Sequence, residues 1–132
     1  MKGNCLCGAV TIEASNTSEF EACHCSMCRR WGGGPFLAVH CDSAISLAGN
    51  DSISIFESSD WAERAFCANC GSHLYYHLKP TDEYIVPIGL FPQQESFTFK
   101  QQLFIDKKPG YYEFANPTDN LTEKQVFEKF GG

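Results

Sequence analysis

A chain of 132 residues holds enough material for one hydrophobic core and too little for two. A hydrophobic share of 43% that includes eleven Phe excludes intrinsic disorder as its main state. Ten Lys plus Arg against sixteen Asp plus Glu leave a formal charge of -6, which argues against a nucleic-acid partner because no global positive field exists to release counterions.

The chain begins Met1-Lys2-Gly3-Asn4 and runs into Cys5 with no apolar h-region and no small-residue cleavage site. Its longest apolar stretches, such as Phe36-Leu37-Ala38-Val39, fall far short of the roughly 18–20 residues a bilayer needs. The expectation is a cytoplasmic protein that does not span a membrane. In that reducing compartment clustered thiols are usually metal ligands or catalytic groups rather than disulfides.

Taken in order, Gly8 to Ala14 alternates with Val10 and Ile12 on one face and reads as a half-buried strand. Phe36 to Cys41, Ser52 to Phe56, Arg64 to Cys67, Leu74 to His77, Tyr84 to Val86 and Phe97 to Ile105 read similarly. Turn signals separate them at Gly32-Gly33-Gly34-Pro35, Gly49-Asn50-Asp51, Lys79-Pro80-Thr81-Asp82 and Pro109-Gly110. One regular helix is expected near the end. Asn120 would cap it with Glu123 reaching back, and Val126, Phe127 and Phe130 would dock on the sheet. The expected fold class is mainly β with one or two short helices, residues 1–132 forming a single zinc-binding domain.

Eight Cys in 132 residues is far above ordinary usage. Cys5-Leu6-Cys7-Gly8 places two thiols two positions apart, where an extended chain points both the same way. Cys67-Ala68-Asn69-Cys70-Gly71 is a turn whose amides can face the sulfurs, with Gly71 relieving a positive φ. Neither pair completes a tetrahedral site alone; Cys5, Cys7, Cys67 and Cys70 together make a closed structural zinc site. Cys23-His24-Cys25-Ser26-Met27-Cys28 lets three thiolates converge and leaves a fourth position free, the pattern of a catalytic zinc. Cys41 belongs to no cluster. It reads as a small buried residue ending a strand, or as a fourth ligand that would shut the second site. Disulfides would need an oxidising compartment, and an iron–sulfur cluster suits a division into four and three less well than two mononuclear ions.

The motifs Cys5-x-Cys7-Gly8, Cys23-His24-Cys25-x-x-Cys28-Arg29 and Arg64-x-Phe66-Cys67-x-x-Cys70-Gly71-Ser72-x-Leu74 resemble the glutathione-dependent formaldehyde-activating enzyme family, which also includes centromere protein V. Their order and spacing cover a little over half of the chain. The resemblance implies a β-tent fold of packed antiparallel sheets and two zinc ions per chain. It implies a structural zinc on Cys5, Cys7, Cys67 and Cys70 and a catalytic zinc on Cys23, Cys25 and Cys28. The implied activity joins glutathione and formaldehyde into S-hydroxymethylglutathione, formally a carbon–sulfur lyase reaction. In the C-terminal third, Gly110-Tyr111 stands where the family usually has Pro-Trp, and Gln102 where a histidine is common. The thiol and aldehyde therefore stay open.

Other residues have plainer readings. Arg29 and Arg30 could meet glutathione carboxylates or simply be exposed after a metal loop. Gly32-Gly33-Gly34 lacks the Lys-Ser/Thr of a phosphate loop and reads as a flexible rim. His24 is expected to point away from the ligands that flank it; His40, His73 and His77 are expected in core or surface roles. Arg64 is read as support for the Cys67–Cys70 turn, and Trp61, Tyr75 and Tyr76 as packing. Two function classes remain, a zinc enzyme acting on a thiol–aldehyde adduct and a non-catalytic zinc-stabilised binding module. An open three-cysteine site would favour the first, and closure by Cys41 the second. Loading seven thiolates with two Zn²⁺ would take the formal charge from -6 to about -9, which further disfavours nucleic acid.

Overall fold

A computed structural model describes residues 1–92 and 96–130 of the chain. Eleven strands are present among them: β1 (Lys2–Asn4), β2 (Thr11–Ala14), β3 (Glu19–Cys23), β4 (Phe36–Cys41), β5 (Ile45–Ala48), β6 (Ile53–Phe56), β7 (Ala62–Cys67), β8 (His73–Leu78), β9 (Glu83–Pro87), β10 (Thr98–Leu103) and β11 (Asp119–Leu121). Helix α1 spans Ser26–Gly32 and α2 spans Glu123–Phe130. No described helix is long and apolar enough to cross a membrane. The fold is mainly β with two short helices.

The strands form two sheets. β1, β2 and β5 make an antiparallel three-stranded sheet in the order β1-β2-β5. The other eight run β11-β10-β3-β4-β9-β8-β7-β6. This larger sheet is antiparallel except that β10 pairs in parallel with both β3 and β11. Parallel neighbours need a long crossover. Here the chain makes almost the whole circuit of the fold between Cys23 and Thr98 before β10 settles beside β3.

Alternation decides which side chains meet between the sheets. Ile12 and Ala14 of β2 cluster with Val39 and Cys41 of β4, Ala65 and Cys67 of β7 and Val86 of β9, and the neighbours Leu74 and Tyr75 of β8 both join them where the β7–β8 register shifts. Val10, Phe91 and Cys5 complete this cluster. Burying a side chain of the size of Ile12, Leu74 or Phe91 stabilises by roughly 1.5–3 kcal/mol each.

Several expectations shift at their edges. The strand expected from Gly8 begins only at Thr11, because Gly8 adopts φ +80 in a turn in which its amide donates to the Cys5 carbonyl. Short strands β1, β3, β5 and β11 and helix α1 carry no clear period in the sequence. Around α2 the expected cap moves by two residues: Gln125 N–H donates to Thr122 Oγ1 (3.3 Å) and Thr122 N–H to Gln125 Oε1 (2.8 Å). Asn120 instead lies in β11. Val126 is buried as expected, whereas Phe127 is half exposed against Phe104, and the Phe130 side chain lies outside the described residues.

Candidate metal centres

Two turns bring the first four cysteines together. After β1 the chain folds back so that Cys5 N–H donates to the Val10 carbonyl and Val10 N–H reaches Cys5 Sγ at 3.3 Å. Cys5 and Cys7 therefore sit in a turn, not in the extended segment expected from their spacing. After β7, Gly71 N–H donates to the Cys67 carbonyl and Gly71 takes φ +77, the positive φ its place in the motif requires. Leu6 N–H donates to Ser72 Oγ and joins the two turns.

The four Sγ atoms lie within 4.8 Å of one another. Cys5 Sγ is 3.6 Å from Cys7 Sγ, and Cys7 Sγ is 3.7 Å from Cys67 Sγ. A tetrahedral ion with Zn–S bonds of about 2.3 Å spaces its sulfurs about 3.8 Å apart, so this donor set fits one zinc-sized ion. Ser72 hydrogen-bonds the Cys70 sulfur and lowers that thiol to about 5. For Cys7 the Ala9 amide acts downward, but burial and the neighbouring thiols outweigh it and raise the group to about 11.

The second cluster forms where β3 gives way to α1. Cys23 is the last residue of β3, Cys25 caps α1 by accepting the Cys28 N–H on its sulfur at 3.4 Å, and Cys28 is buried in the first turn. Their three Sγ atoms also lie within 4.8 Å of one another. Among the described residues no fourth His, Cys, Asp or Glu joins them. Hydrogen bonds from Cys23 and Cys28 pull Cys25 down to about 2, and the same contacts push Cys23 well above its usual range.

Cys41 settles in the core between the sheets, where burial raises its thiol to about 11. It joins neither cluster. None of the eight cysteines is disulfide-bonded.

The surrounding residues fall partly as expected. His24 turns away from its flanking cysteines and is fully buried; its Nε2 meets Gln102 Oε1 at 2.8 Å and its Nδ1 meets the Tyr112 hydroxyl at 2.7 Å. Arg29 donates its Nε to the His24 carbonyl, while Arg30 is exposed and in no ion pair among the described residues. Gly33 is not a loose rim residue: it ends α1 at φ +86, with its N–H on the Arg29 carbonyl. His73 stacks on Trp31 at 3.9 Å. His40 lies between Glu21 and Glu83, and His77 between Glu63 and Asp82, pairings with no local sequence signal. Trp61 is 56% exposed and does not pack in the core.

Arg64 departs furthest from expectation. It does not support the Cys67–Cys70 turn. Both Nη atoms lie 3.8 Å from Cys28 Sγ, and the guanidinium sits over the Trp31 and Tyr76 rings at 4.9 and 4.5 Å. No local signal in the sequence pointed to this contact, because Arg64 and Cys28 lie 36 positions apart on different elements.

Comparison with known proteins agrees with the motifs. A family model described as glutathione-dependent formaldehyde-activating enzyme matches residues 1–107. An uncharacterized lyase of Schizosaccharomyces pombe is 38% identical over 129 residues, covering 96% of this chain and 94% of that protein. A putative glutathione-dependent formaldehyde-activating enzyme of Halomonas elongata is 29% identical over 85 residues, 57% of this chain and 54% of its own length. A crystal structure of a Rhodobacter sphaeroides protein superposes with a TM-score of 0.61 at 29% identity, covering 70% of this chain and 89% of that one.

Proposed function

The chain belongs to the glutathione-dependent formaldehyde-activating enzyme family, and from that premise we propose that it is a zinc-dependent carbon–sulfur lyase joining glutathione, or a related thiol, to formaldehyde. Residues 1–132 act as one zinc-binding unit in the reducing setting of the cytoplasm. The observation that carries this reading is the convergence of Cys23, Cys25 and Cys28 without a fourth ligand among the described residues. Cys5, Cys7, Cys67 and Cys70 offer a complete tetrahedral set, which supports their assignment as the ligands of a structural zinc.

Cys23, Cys25 and Cys28 would hold the second zinc, which when bound would supply the Lewis-acid chemistry that favours the thiolate form of a substrate thiol. As thiolates the three cysteines would bring a charge of about -3, more than a divalent ion neutralises, so the site would favour an electron-rich sulfur. In the reaction the substrate sulfur forms a bond to the formaldehyde carbon, the carbonyl π pair moves to oxygen, and the proton given up by the thiol returns to that oxygen. Arg30, exposed beside the cluster on α1, is the guanidinium available to a substrate carboxylate. Arg29 has already committed its Nε to the His24 carbonyl. Cys41, packed in the core, leaves the vacant position open, which favours an enzyme over a closed binding module.

The test combines metal analysis with turnover of glutathione and formaldehyde. Wild-type protein should contain two zinc ions and form the adduct faster than the uncatalysed reaction. Cys25→Ser should lose one zinc and slow turnover by about a hundredfold or more. Full turnover with one metal lost would overturn the assignment.

A further inference from the structure

We propose that Arg64 is a positioning residue of the three-cysteine centre, its buried guanidinium supplying the fixed positive charge that lets Cys23, Cys25 and Cys28 hold a divalent ion as thiolates. The inference rests on the zinc reading above and extends it to a residue on another strand.

Arg64 is 4% exposed, and no described carboxylate forms an ion pair with it. A guanidinium does not lose its proton in a protein, so burial cannot be relieved by neutralisation. An isolated buried cation is too costly to persist without an anion. The anion here is the thiolate cluster. Nη1 and Nη2 approach Cys28 Sγ together at 3.8 Å, a two-pronged contact that only a planar fork makes. The Trp31 and Tyr76 faces take over part of the lost hydration through cation–π contact. Trp31 is itself held by its stack on His73 and an edge contact with Phe36, so the fork has little freedom to swing away.

The charge arithmetic favours a cation at this place. Three thiolates around a divalent ion are net -1, and a substrate thiolate would make the site net -2. A neighbouring guanidinium reduces that excess. Its hydrogen bonds also draw electron density from Cys28, as outer partners of metal ligands commonly tune the metal.

The test uses zinc- and cobalt-loaded protein, with Arg64→Met and Arg64→Lys beside wild type. Arg64→Met should release the metal of the three-cysteine site at a chelator concentration at least about tenfold lower than wild type. The Cys5/Cys7/Cys67/Cys70 metal should remain and report an intact fold. With cobalt, the sulfur-to-metal charge-transfer band should move to lower energy, because a thiolate without its cation gives up an electron more readily. Arg64→Lys keeps the charge but not the fork and should recover only part of both effects; it also serves if the Met variant does not fold. Unchanged chelator resistance and an unmoved cobalt band in both variants, with two metals in each, would overturn the role of Arg64 alone. A wild-type protein that takes up only one metal would overturn the zinc reading and this inference with it.

Discussion

Arg64 and Cys67 stand three positions apart on β7 and reach different cysteine clusters: Arg64 lies 3.8 Å from Cys28 Sγ, and Cys67 Sγ lies 3.7 Å from Cys7 Sγ. An odd spacing along a strand sends the two side chains to opposite faces, while the register shift in the pairing with β8 falls at Leu74, between His73 and Tyr75. One strand therefore contributes to both sites, yet the sites differ in completeness. A four-sulfur site has no vacant position, whereas three sulfurs leave one for solvent or substrate.

Chelation should follow that difference. A mild chelator should remove the metal at Cys23, Cys25 and Cys28 first and abolish turnover, while circular dichroism shows a folded protein. Equal resistance of both metals, with no thiol able to reach either, would count for a closed structural module.

The four-cysteine site ties the N-terminal turn to the end of β7, closing a loop of about sixty residues. Cys70→Ser should either prevent folding or lower stability by several kcal/mol, because metal binding at such a site is part of folding. Chemical denaturation together with zinc analysis decides it. A cooperatively folded, fully stable variant lacking that zinc would contradict a structural role.

Gly49 adopts φ +85, and a Cβ there would meet the Ala9 carbonyl oxygen at 1.9 Å. Backbone obstructs backbone, and the φ is unfavourable for any side chain, so Gly49→Ala should cost at least about 2 kcal/mol. Gly110→Ala, where nothing lies within 4 Å of the added carbon, is the control and should be nearly neutral. Thermal melts of the two variants make the comparison.

His40 gives the fold a pH dependence of definite sign. Glu21 and Glu83 raise its folded-state value to about 9 from an ordinary value of 6.5. The stability it lends is complete below about pH 6.5 and is lost as pH rises through about 9. With its side chain 33% exposed, the contribution is on the order of 1 kcal/mol after screening. The melting-temperature difference between wild type and His40→Asn should therefore shrink from pH 6 to pH 9.5. A constant difference would show that His40 does not carry it.

The cysteine motifs were legible in the sequence because each is local: Cys23, Cys25 and Cys28 follow closely where β3 gives way to α1, and each half of the four-cysteine site spans a few residues. The strands β4, β7, β8 and β9 were legible from their apolar runs and alternation, within a residue or two. The three-residue strands β1 and β11 were not, since so few residues show no period and rely on neighbours for pairing.

Residue types and their spacing were enough to specify the donor chemistry, the split into four and three, and a mainly β fold. The rest came from tertiary structure: that Cys41 packs between the sheets, that β10 lies parallel to β3, that His40 meets Glu21 and Glu83, and that Arg64 lies against Cys28. Each is a meeting of residues distant along the chain. Local spacing carries no information about such pairs, because burial and strand register bring them together only when the whole sheet has formed.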